Sequence, residues 1–437
     1  MHITYDKYAF AAAEIIQKKQ LTMCARACYN TVSMGKGVHL LRGFLPRRMN
    51  AFDVLSAAPL TAGAVERNDN YMKIEGQVRI PSGCAISAVI SRDGKKMTGE
   101  GIMKSMIPMH DRSNGLGGGF AAYGIYPEYK DFYAFHIFYT DSAVREECEK
   151  LLRERFEIVK DEWIPIKKIP EITDVPLIRR YFLAPLASVL SRLQLDEKEY
   201  VARTVMYINT NLRGAYVFSS GKNMGAFKAV GFPEDVGRFY RLDEYEAYSW
   251  TAHDRYPTNT PGWWGGAHPF ALLEYSVVHN GEISSYDANR RFIEMFGYKC
   301  TLQTDTEVIT YIADYLLRRQ GLTLEEAASV IAAPFWSTIS AVGEKDPERA
   351  KRLAYLRTVF PSLLITGPFS IVLGFEGGLM ALNDRLKLRS MVTAEKDDKV
   401  FIASEEAAIR TMEPDAENIY APAGGEPVIV KVREGAF

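Results

Sequence analysis

The chain has 437 residues, of which 47% are apolar and 24% are charged, as is typical of a globular protein with one large or two modest cores. Its 53 basic and 54 acidic side chains give a formal net charge of −1, without a long run of one sign, which argues against nucleic acid or an anionic membrane as a partner. The longest apolar stretch, at 360–374, contains two prolines and two glycines and is too short to cross a bilayer.

The start of the chain and its cysteines bear on location and metal content. The first thirty residues lack the pattern of a secretory signal, because Lys18 and Lys19 interrupt the apolar segment, so we expect a cytoplasmic protein. Five cysteines are an odd and sparse set, which argues against a disulfide framework. Cys24 and Cys28 have the spacing of metal ligands, but no second pair completes four ligands. We therefore predict two structural thiols on a helical turn and no metal site.

The first part of the chain differs from the rest. Residues 8–20 have a helical pattern, after which the hydrophobic pattern is irregular up to about residue 71. Met72 could be the initiating methionine of the protein just as well as Met1. Two hypotheses stay open for residues 1–83: a leader or propeptide, or a misassigned start in which residues 1–71 are not made. The functional domain is predicted to span 84–437.

Clear elements begin at Cys84. Residues 84–91 predict an apolar strand, 92–95 predict a hairpin-type turn, and a helix is expected at about 99–109. The glycine-rich segment 115–124 lacks the Lys-Ser/Thr of a phosphate loop and the order of a dinucleotide fingerprint, so we interpret it as a site of close backbone packing.

A β-α-β pattern follows. Residues 133–139 alternate as a strand, Asp141 opens a helix that runs to about residue 155, and 156–159 return as a strand. A second such pattern lies near 198–218. Together they predict an inserted α/β subdomain at about 125–245.

The rest of the chain predicts one helix and several strands. Residues 306–319 carry an apolar stripe typical of an amphipathic helix, which places Asp305 at its N-terminal edge. Residues 370–375 and 379–382 predict two strands joined by a tight turn, and 400–403 and 427–432 add two more. Together, these predicted helices and strands indicate an α+β fold with much of its sheet antiparallel.

Cys84 is a candidate nucleophile. A cysteine attacks as the thiolate, so it needs a nearby base or a positive field, and no histidine lies within twenty residues of it in sequence. If the Gly83–Cys84 bond were cut, the free α-amine of Cys84, with an ordinary pKa of about 8, would be a base beside the thiol. The alternative is a buried structural cysteine.

Three further candidates lie between residues 251 and 307. Asn280 and Gly281 follow an apolar strand and could hold an oxyanion, or they could form a plain Asn-Gly turn. Arg255 has no acidic neighbour at helical spacing and could grip a ligand carboxylate, or it could form a surface salt bridge. Asp305 could bind an ammonium group, or it could cap the following helix.

Taken together and in this order, the motifs resemble those of the class II glutamine amidotransferases, and most closely the amidotransferase part of glutamate synthase. The resemblance covers nearly all of 84–437. It rests on Cys84 with its apolar strand, Arg255-Tyr-Pro-Thr-Asn-Thr260, Ala267-His-Pro269, His279-Asn-Gly-Glu-Ile283, Thr304-Asp-Thr-Glu307, Asn383-Asp-Arg-Leu-Lys-Leu-Arg389 and Ala403-Ser-Glu-Glu406.

This resemblance implies a four-layer α-β-β-α sandwich of the N-terminal-nucleophile (Ntn) hydrolase type. It implies that Cys84 attacks the side-chain amide of glutamine to form a thioester, with its own α-amine as the base. The remaining roles, matched residue by residue, are an oxyanion hole at Asn280 and Gly281, a carboxylate contact at Arg255, an ammonium contact at Asp305, and pocket positions at Thr258 and His268.

Two departures from the family pattern are Ala85, where glycine is usual after the cysteine, and Ser390, where proline is common. A leader of 83 residues is also longer than is usual in the family. No acceptor module is recognised after the amidotransferase motifs. We therefore expect a stand-alone glutaminase subunit, without a cofactor of its own, that delivers ammonia to a separate synthase subunit with FMN and iron-sulfur clusters. The alternatives are an Ntn amidase for another amide and a catalytically silent assembly or regulatory subunit.

Overall fold

The computed structural model describes residues 83–257 and 262–435. The expected helix at 8–20, the Cys24 and Cys28 pair, and Thr258 lie outside these ranges. Within them, no helix is long and apolar enough to cross a membrane, and no cluster of side chains could hold a metal ion. Cys84, Cys148 and Cys300 are free thiols.

A seven-stranded antiparallel sheet, the front sheet, carries Cys84 just before its central strand. Every side chain of that strand is buried, because both faces of the sheet are covered. In spatial order, the strands are β17 (Glu417–Tyr420), β15 (Val392–Lys396), β16 (Lys399–Ala403), β1 (Ala85–Ser91), β10 (Ser249–Asp254), β3 (Gly118–Tyr123) and β8 (Met224–Ala229).

A second antiparallel sheet, the back sheet, packs face to face against the first. Its strands in spatial order are β11 (Phe270–Leu272), β12 (Tyr275–Gly281), β13 (Phe369–Phe375), β14 (Gly378–Asn383) and β18 (Val428–Lys431). The layer between the sheets is apolar, since Ile86, Ala88 and Ile90 of β1 lie in one core cluster with Val278 and Val372 of the back sheet.

Helices cover the outer face of each sheet. The front sheet is covered by α1 (Glu100–Met106), α5 (Pro233–Tyr240) and α11 (Glu406–Met412). The back sheet is covered by α7 (Asp305–Asp314), and α6 (Tyr286–Glu294) packs against α7. The order of layers is therefore α-β-β-α, as the family resemblance implies, and both sheets are antiparallel, as the sequence pattern predicts. A short pair, β2 (Met97–Thr98) and β9 (Glu246–Ala247), lies apart from both sheets.

The segment between β3 and β8 forms a sheet of its own, the insert sheet. Its strands in spatial order are β5 (Phe156–Trp163), β6 (Leu177–Pro185), β4 (Tyr133–Tyr139) and β7 (Ala215–Ser219), with α2 (Ser142–Arg155), α3 (Ala187–Leu193) and α4 (Glu197–Asn211). Asp141 and Asp196 cap α2 and α4 by accepting backbone N–H groups. Of the predicted insertion at about 125–245, residues 133–219 form this unit, whereas β8 and α5 belong to the main sandwich.

Three helices between α7 and β13 have no counterpart among the predicted elements: α8 (Leu324–Ile331), α9 (Trp336–Gly343) and α10 (Pro347–Val359). α8 begins with a capping box, in which Thr323 accepts from the Glu326 N–H and the Glu326 side chain accepts from the Thr323 N–H. The predicted helix at 306–319 is present as α7, followed by a wider π-type turn at Tyr315–Arg319.

The hairpin predicted at residues 92–95 is wrong, although the chain does turn there. The Gly94 N–H donates to the Ser91 carbonyl, but the strand that follows, β2, pairs with β9 and not with β1. β1 pairs instead with β10 and β16, which lie far away in the sequence. The glycine-rich segment does pack closely, since a Cβ on Gly119 would lie 2.2 Å from the His268 carbonyl oxygen and 2.5 Å from that of Phe227.

Candidate active site

Cys84 directly precedes β1, the central strand of the front sheet, and lines a pocket. Its Sγ accepts a hydrogen bond from the backbone N–H of Tyr256 at 3.2 Å. Arg112 holds both sides of the preceding peptide bond: its Nε donates to the Cys84 carbonyl at 3.1 Å, and its own carbonyl accepts from the Gly83 N–H at 2.9 Å. The Gly83–Cys84 bond is thereby fixed in place beside the thiol.

The thiol of Cys84 is a weak acid in the uncut chain. Burial raises its pKa to about 11, helped by the carboxylates of Asp305 and Asp254 and opposed by the Tyr256 N–H and the Arg255 guanidinium. Almost none of it is thiolate at neutral pH. Cys84 therefore needs a base, or a further positive charge beside it, before it can act as a nucleophile.

The pocket has a volume of about 590 Å³ and brings together most of the predicted site residues. Cys84, Arg255, His268, Gly281 and Asp305 all line it. These residues come from both sheets, from the segment between β10 and β11, and from the N-terminus of α7. Thr258 lies outside the described residues, so its assignment stays a prediction.

Arg255 follows β10 and is almost fully buried, with 3% of its surface exposed. Its backbone N–H donates to the Gly117 carbonyl at 2.8 Å. Its side chain runs past Gly117 and Gly266, since a Cβ on Gly266 would lie 3.2 Å from the guanidinium Nη1. Burial lowers the pKa of Arg255, while Cys84 and Asp305 oppose that shift. A guanidinium stays charged at neutral pH in such a setting, so the pocket contains a buried cation.

Asp305 is the first residue of α7, but it does not cap the helix. Thr304 does so, because its Oγ1 accepts from the Glu307 N–H at 3.2 Å. The Asp305 carboxylate accepts instead from the Ile283 N–H at 3.2 Å and lies 3.4 Å from Nδ1 of His279. Burial works against its charge, but His279, the Ile283 N–H and the Thr306 hydroxyl together hold the pKa of Asp305 below its ordinary value. It is an anion at neutral pH.

His268 is joined to α7 through a shared hydroxyl. The Thr306 Oγ1 lies 2.6 Å from Nε2 of His268 and 3.2 Å from Nδ1 of His279. The His268 ring also packs on that of His253, at 4.0 Å between centroids. Burial lowers the pKa of His268 well below its ordinary value, and it lowers that of His253 to about 3. Both rings are therefore neutral, and His268 serves the pocket as a polar wall.

Asn280 and Gly281 are the last two residues of β12, so they do not form a plain turn. Gly281 lines the pocket at φ +153°, and a Cβ there would lie 2.1 Å from the Pro368 carbonyl oxygen, so the position requires glycine. The Asn280 side chain is fully buried beneath it, with its Nδ2 3.0 Å from Ser404 Oγ. Gly281 thus lies at the pocket, whereas the Asn280 amide nitrogen contacts Ser404, and the oxyanion hole stays a prediction.

Several contacts of the site were not predicted. One is the contact of Arg112 with Cys84, and another is the hydrogen bond that the Ser113 hydroxyl donates to Asp254. No local sequence pattern predicts either contact, since the partners lie far apart in sequence. Burial raises the pKa of Asp254 to about 8. Thr306 and Ser404 could have been recognised from the sequence, because both lie within motifs that mark the family.

Comparisons with known proteins bear on the family of this chain. Residues 130–420 match the family described as glutamine amidotransferases class-II. An uncharacterized protein of Archaeoglobus fulgidus is 48% identical over 353 residues, covering 80% of this chain and 92% of the relative. An amidophosphoribosyltransferase of Methanocaldococcus jannaschii is 24% identical over 248 residues, covering 56% of this chain and 45% of the relative.

Among solved structures, the glutamine phosphoribosylpyrophosphate amidotransferase of B. subtilis, complexed with ADP and GMP, is 13% identical with a TM-score of 0.42. The match covers 80% of this chain and 47% of that one, so the chain spans about half the length of both named amidotransferases.

The family match extends over more than half of the chain, and the chain belongs to the class-II glutamine amidotransferases. Its four-layer sandwich is the Ntn hydrolase fold. Cys84 lies outside the matched range, so its role rests on its position in the pocket.

Proposed function

We propose that this chain hydrolyses the side-chain amide of glutamine through a thioester on Cys84 and passes the ammonia to a separate synthase subunit. The observation that carries the proposal is that one pocket holds Cys84, the Arg255 cation and the Asp305 anion. A free amino acid bears a carboxylate and an ammonium group on its α-carbon. Arg255 and Asp305 are complementary to these two charges, which favours glutamine over an amide without them.

In the proposed reaction, the Gly83–Cys84 bond has been cut and the α-amine of Cys84 takes the proton of the thiol. The thiolate attacks the amide carbon, and the carbonyl oxygen becomes an oxyanion that accepts from the Gly281 N–H and the Asn280 amide. The carbon–nitrogen bond then breaks, and the amine returns its proton to the leaving nitrogen as ammonia departs. Water next attacks the thioester, giving glutamate and the free thiol.

The freed amine would act on the thiol in two ways. With an ordinary pKa of about 8, it is partly neutral near neutral pH and can accept the proton. When protonated, it is a positive charge next to a thiol whose pKa is about 11 in the uncut chain, and such a charge favours the thiolate. Cutting the Gly83–Cys84 bond would therefore supply both a base for the Cys84 thiol and a positive charge that favours its thiolate.

The proposal also includes the protein that receives the ammonia. The order of motifs, with Asn383 to Arg389 and Ala403 to Glu406 as the closing segments, resembles the amidotransferase part of glutamate synthase. On that resemblance we infer a partner of the glutamate synthase type that carries FMN and iron-sulfur clusters. Copurification followed by a flavin absorption spectrum tests the partner separately from the hydrolysis.

A second candidate function is a catalytically silent subunit. It is favoured by one observation: Arg112 contacts the Gly83 N–H and the Cys84 carbonyl, on either side of the bond that would have to be cut. An acylated nitrogen cannot accept the thiol proton, so an uncut chain would not follow the proposed mechanism.

Ammonia release from glutamine by the purified chain tests the hydrolysis. Cys84→Ala is expected to abolish it and to leave any ammonia-dependent activity of the partner intact. Cys148→Ala, which removes a free thiol from the core of the insert, is the matched control and should retain activity. Unchanged ammonia release from Cys84→Ala would refute Cys84 as the nucleophile.

A further inference from the structure

A row of polar side chains crosses the back sheet at the end that lies next to the pocket. In the strand register, Asn280 of β12 pairs with Ser370 of β13, and Ser370 pairs with Asn383 of β14. Paired residues of antiparallel strands point to the same face, so the three side chains form a row. Asn280 also contacts Ser404, which follows β16 of the front sheet.

The hydrogen bonds of Ser404 are unbalanced. Its Oγ accepts from the Ile86 N–H at 3.1 Å and from Asn280 Nδ2 at 3.0 Å, so two donors point at one hydroxyl. Meanwhile Asn280 Oδ1 is buried and has no partner among residues 83–257 and 262–435. Buried polar atoms are almost always paired, so a buried acceptor next to a hydroxyl that could donate needs an explanation.

The two ends of an asparagine amide have nearly the same shape, so the group can turn over within the same space. After such a turn, the Ser404 hydroxyl would donate to Asn280 Oδ1 while still accepting from the Ile86 N–H. The amide nitrogen of Asn280 would then be the group without a partner.

The neighbouring pair in the row already has this arrangement. The Ser370 hydroxyl lies 2.8 Å from Asn383 Oδ1, while Asn383 Nδ2 is buried without a partner in the described part of the chain. A buried serine in this row can therefore hold an asparagine by its oxygen and leave the nitrogen free.

A free nitrogen on Asn280 would lie close to the reaction. Ile86, which binds Ser404, is two residues after Cys84, about 7 Å along an extended chain. Ile86 itself packs with Val278 of β12 between the sheets, and Cys84, directly before β1, lines the pocket. The next residue after Asn280, Gly281, lines the pocket itself.

We propose that Ser404 is a positioning residue that holds Asn280 by its amide oxygen and turns its amide nitrogen toward the oxyanion formed on glutamine. This inference rests on the proposed function. The hydrogen bond from the Asn280 amide nitrogen contributes only when negative charge develops on the substrate oxygen. The loss of the Ser404 hydroxyl should therefore lower kcat and leave the KM for glutamine nearly unchanged.

The test is a double-mutant cycle on glutamine hydrolysis. Asn280→Ala is expected to lower kcat by about 100- to 1000-fold, as for other single oxyanion donors. Ser404→Ala is expected to lower kcat by about tenfold or more, because the amide loses the donor that fixes its orientation. Adding Ser404→Ala to Asn280→Ala should change kcat by less than about twofold, since the hydroxyl then has no amide to hold.

Two more variants separate orientation from folding. Ser404→Thr keeps the hydroxyl and is expected to recover most of the lost kcat. Ser370→Ala removes the matching hydroxyl one strand away, where the acceptor is Asn383, and should leave kcat within about twofold of the parent. The thermal midpoint of each variant is measured alongside, because Ser404→Ala also leaves the Ile86 N–H unpaired.

An undiminished kcat in Ser404→Ala, or full additivity of the two substitutions, would overturn the positioning role while leaving hydrolysis by Cys84 intact. Failure of the parent protein to release ammonia from glutamine would instead contradict the proposed function itself. The two failures are therefore distinguishable in one set of assays.

Discussion

At the scale of single residues, the pocket is defined by two opposite charges. Arg255 and Asp305 both line it, and both are largely removed from solvent. A free amino acid such as glutamine carries a charge complementary to each of them. Each charge can be tested alone, because each is assigned to a different end of the ligand.

Arg255→Lys is expected to raise the KM for glutamine by about 10- to 100-fold with a smaller change in kcat, since an ammonium cannot reproduce two parallel hydrogen bonds to a carboxylate. Steady-state ammonia release measures both constants. Arg290→Lys is the control, because Arg290 borders the same pocket on helix α6, pairs with Asp287 and Glu294, and has no assigned contact with the ligand. A fall in kcat alone for Arg255→Lys would assign Arg255 another role.

Asp305→Asn is expected to remove the preference for the α-ammonium group. The parent should hydrolyse glutamine much faster than the analogue in which hydrogen replaces the α-amino group. Asp305→Asn should bring the two kcat/KM values to within about tenfold of each other, because a charged hydrogen bond contributes about 1.5–3 kcal/mol. An undiminished preference in the variant would mean that Asp305 does not contact the ammonium.

Asp254 gives a prediction for stability against pH. Its carboxyl is buried and its pKa is raised to about 8, whereas an unfolded Asp has a pKa of about 3.9. Between these values the folded state retains a proton that the unfolded state has lost, so the contribution of Asp254 to stability falls as pH rises. The thermal midpoint of Asp254→Asn should therefore decline less between pH 5 and 8 than that of the parent. Equal declines would place the pKa of Asp254 outside this window.

At the scale of elements, one lysine holds the segment that carries the pocket wall. Lys228 of β8 is fully buried, and its Nζ donates to the Gly265 carbonyl at 2.9 Å, next to the ring of Phe270. Gly266 follows directly and packs against Arg255. The position of the guanidinium thus depends on a contact from the far edge of the front sheet.

Lys228→Met keeps most of the side-chain volume and removes the donor. A lost hydrogen bond of about 1 kcal/mol corresponds to about a fivefold rise in the KM for glutamine. Lys222→Met is the control, because Lys222 precedes the same strand but pairs with Glu197. An unchanged KM in Lys228→Met, with the fold intact, would show that this contact does not position Arg255.

Helices and strands could be predicted where the sequence pattern that marks them involves neighbouring residues. The alternation at β4, the Asp141 cap of α2 and the stripe of α7 each depend on neighbouring residues, and all three elements are present. The pairing of β1 with β10 and β16 joins segments more than 150 residues apart, which local turn chemistry cannot specify. That is why the turn at 92–95 was predicted correctly and its hairpin was not.

At the scale of the whole molecule, the site could be predicted only in part. Cys84, Arg255, Gly281 and Asp305 are recognisable in the sequence because the family motifs surround them, and the fold brings all four to one pocket. The contacts that tune them come from elsewhere: Arg112 from the turn after α1, Ser404 from the end of β16, and Lys228 from β8. Such contacts depend on the packing of two sheets, which no local pattern encodes.

The proposed reaction depends on one property of the whole chain, namely that Cys84 is its first residue when it works. Only then does a free amine lie beside the thiol, whose pKa is about 11 in the uncut chain. The most direct measurement is the intact mass of the purified protein, taken on the same sample that releases ammonia from glutamine. We predict a mass that corresponds to residues 84–437. An active sample in which every molecule retains the residues before Cys84 would contradict the mechanism.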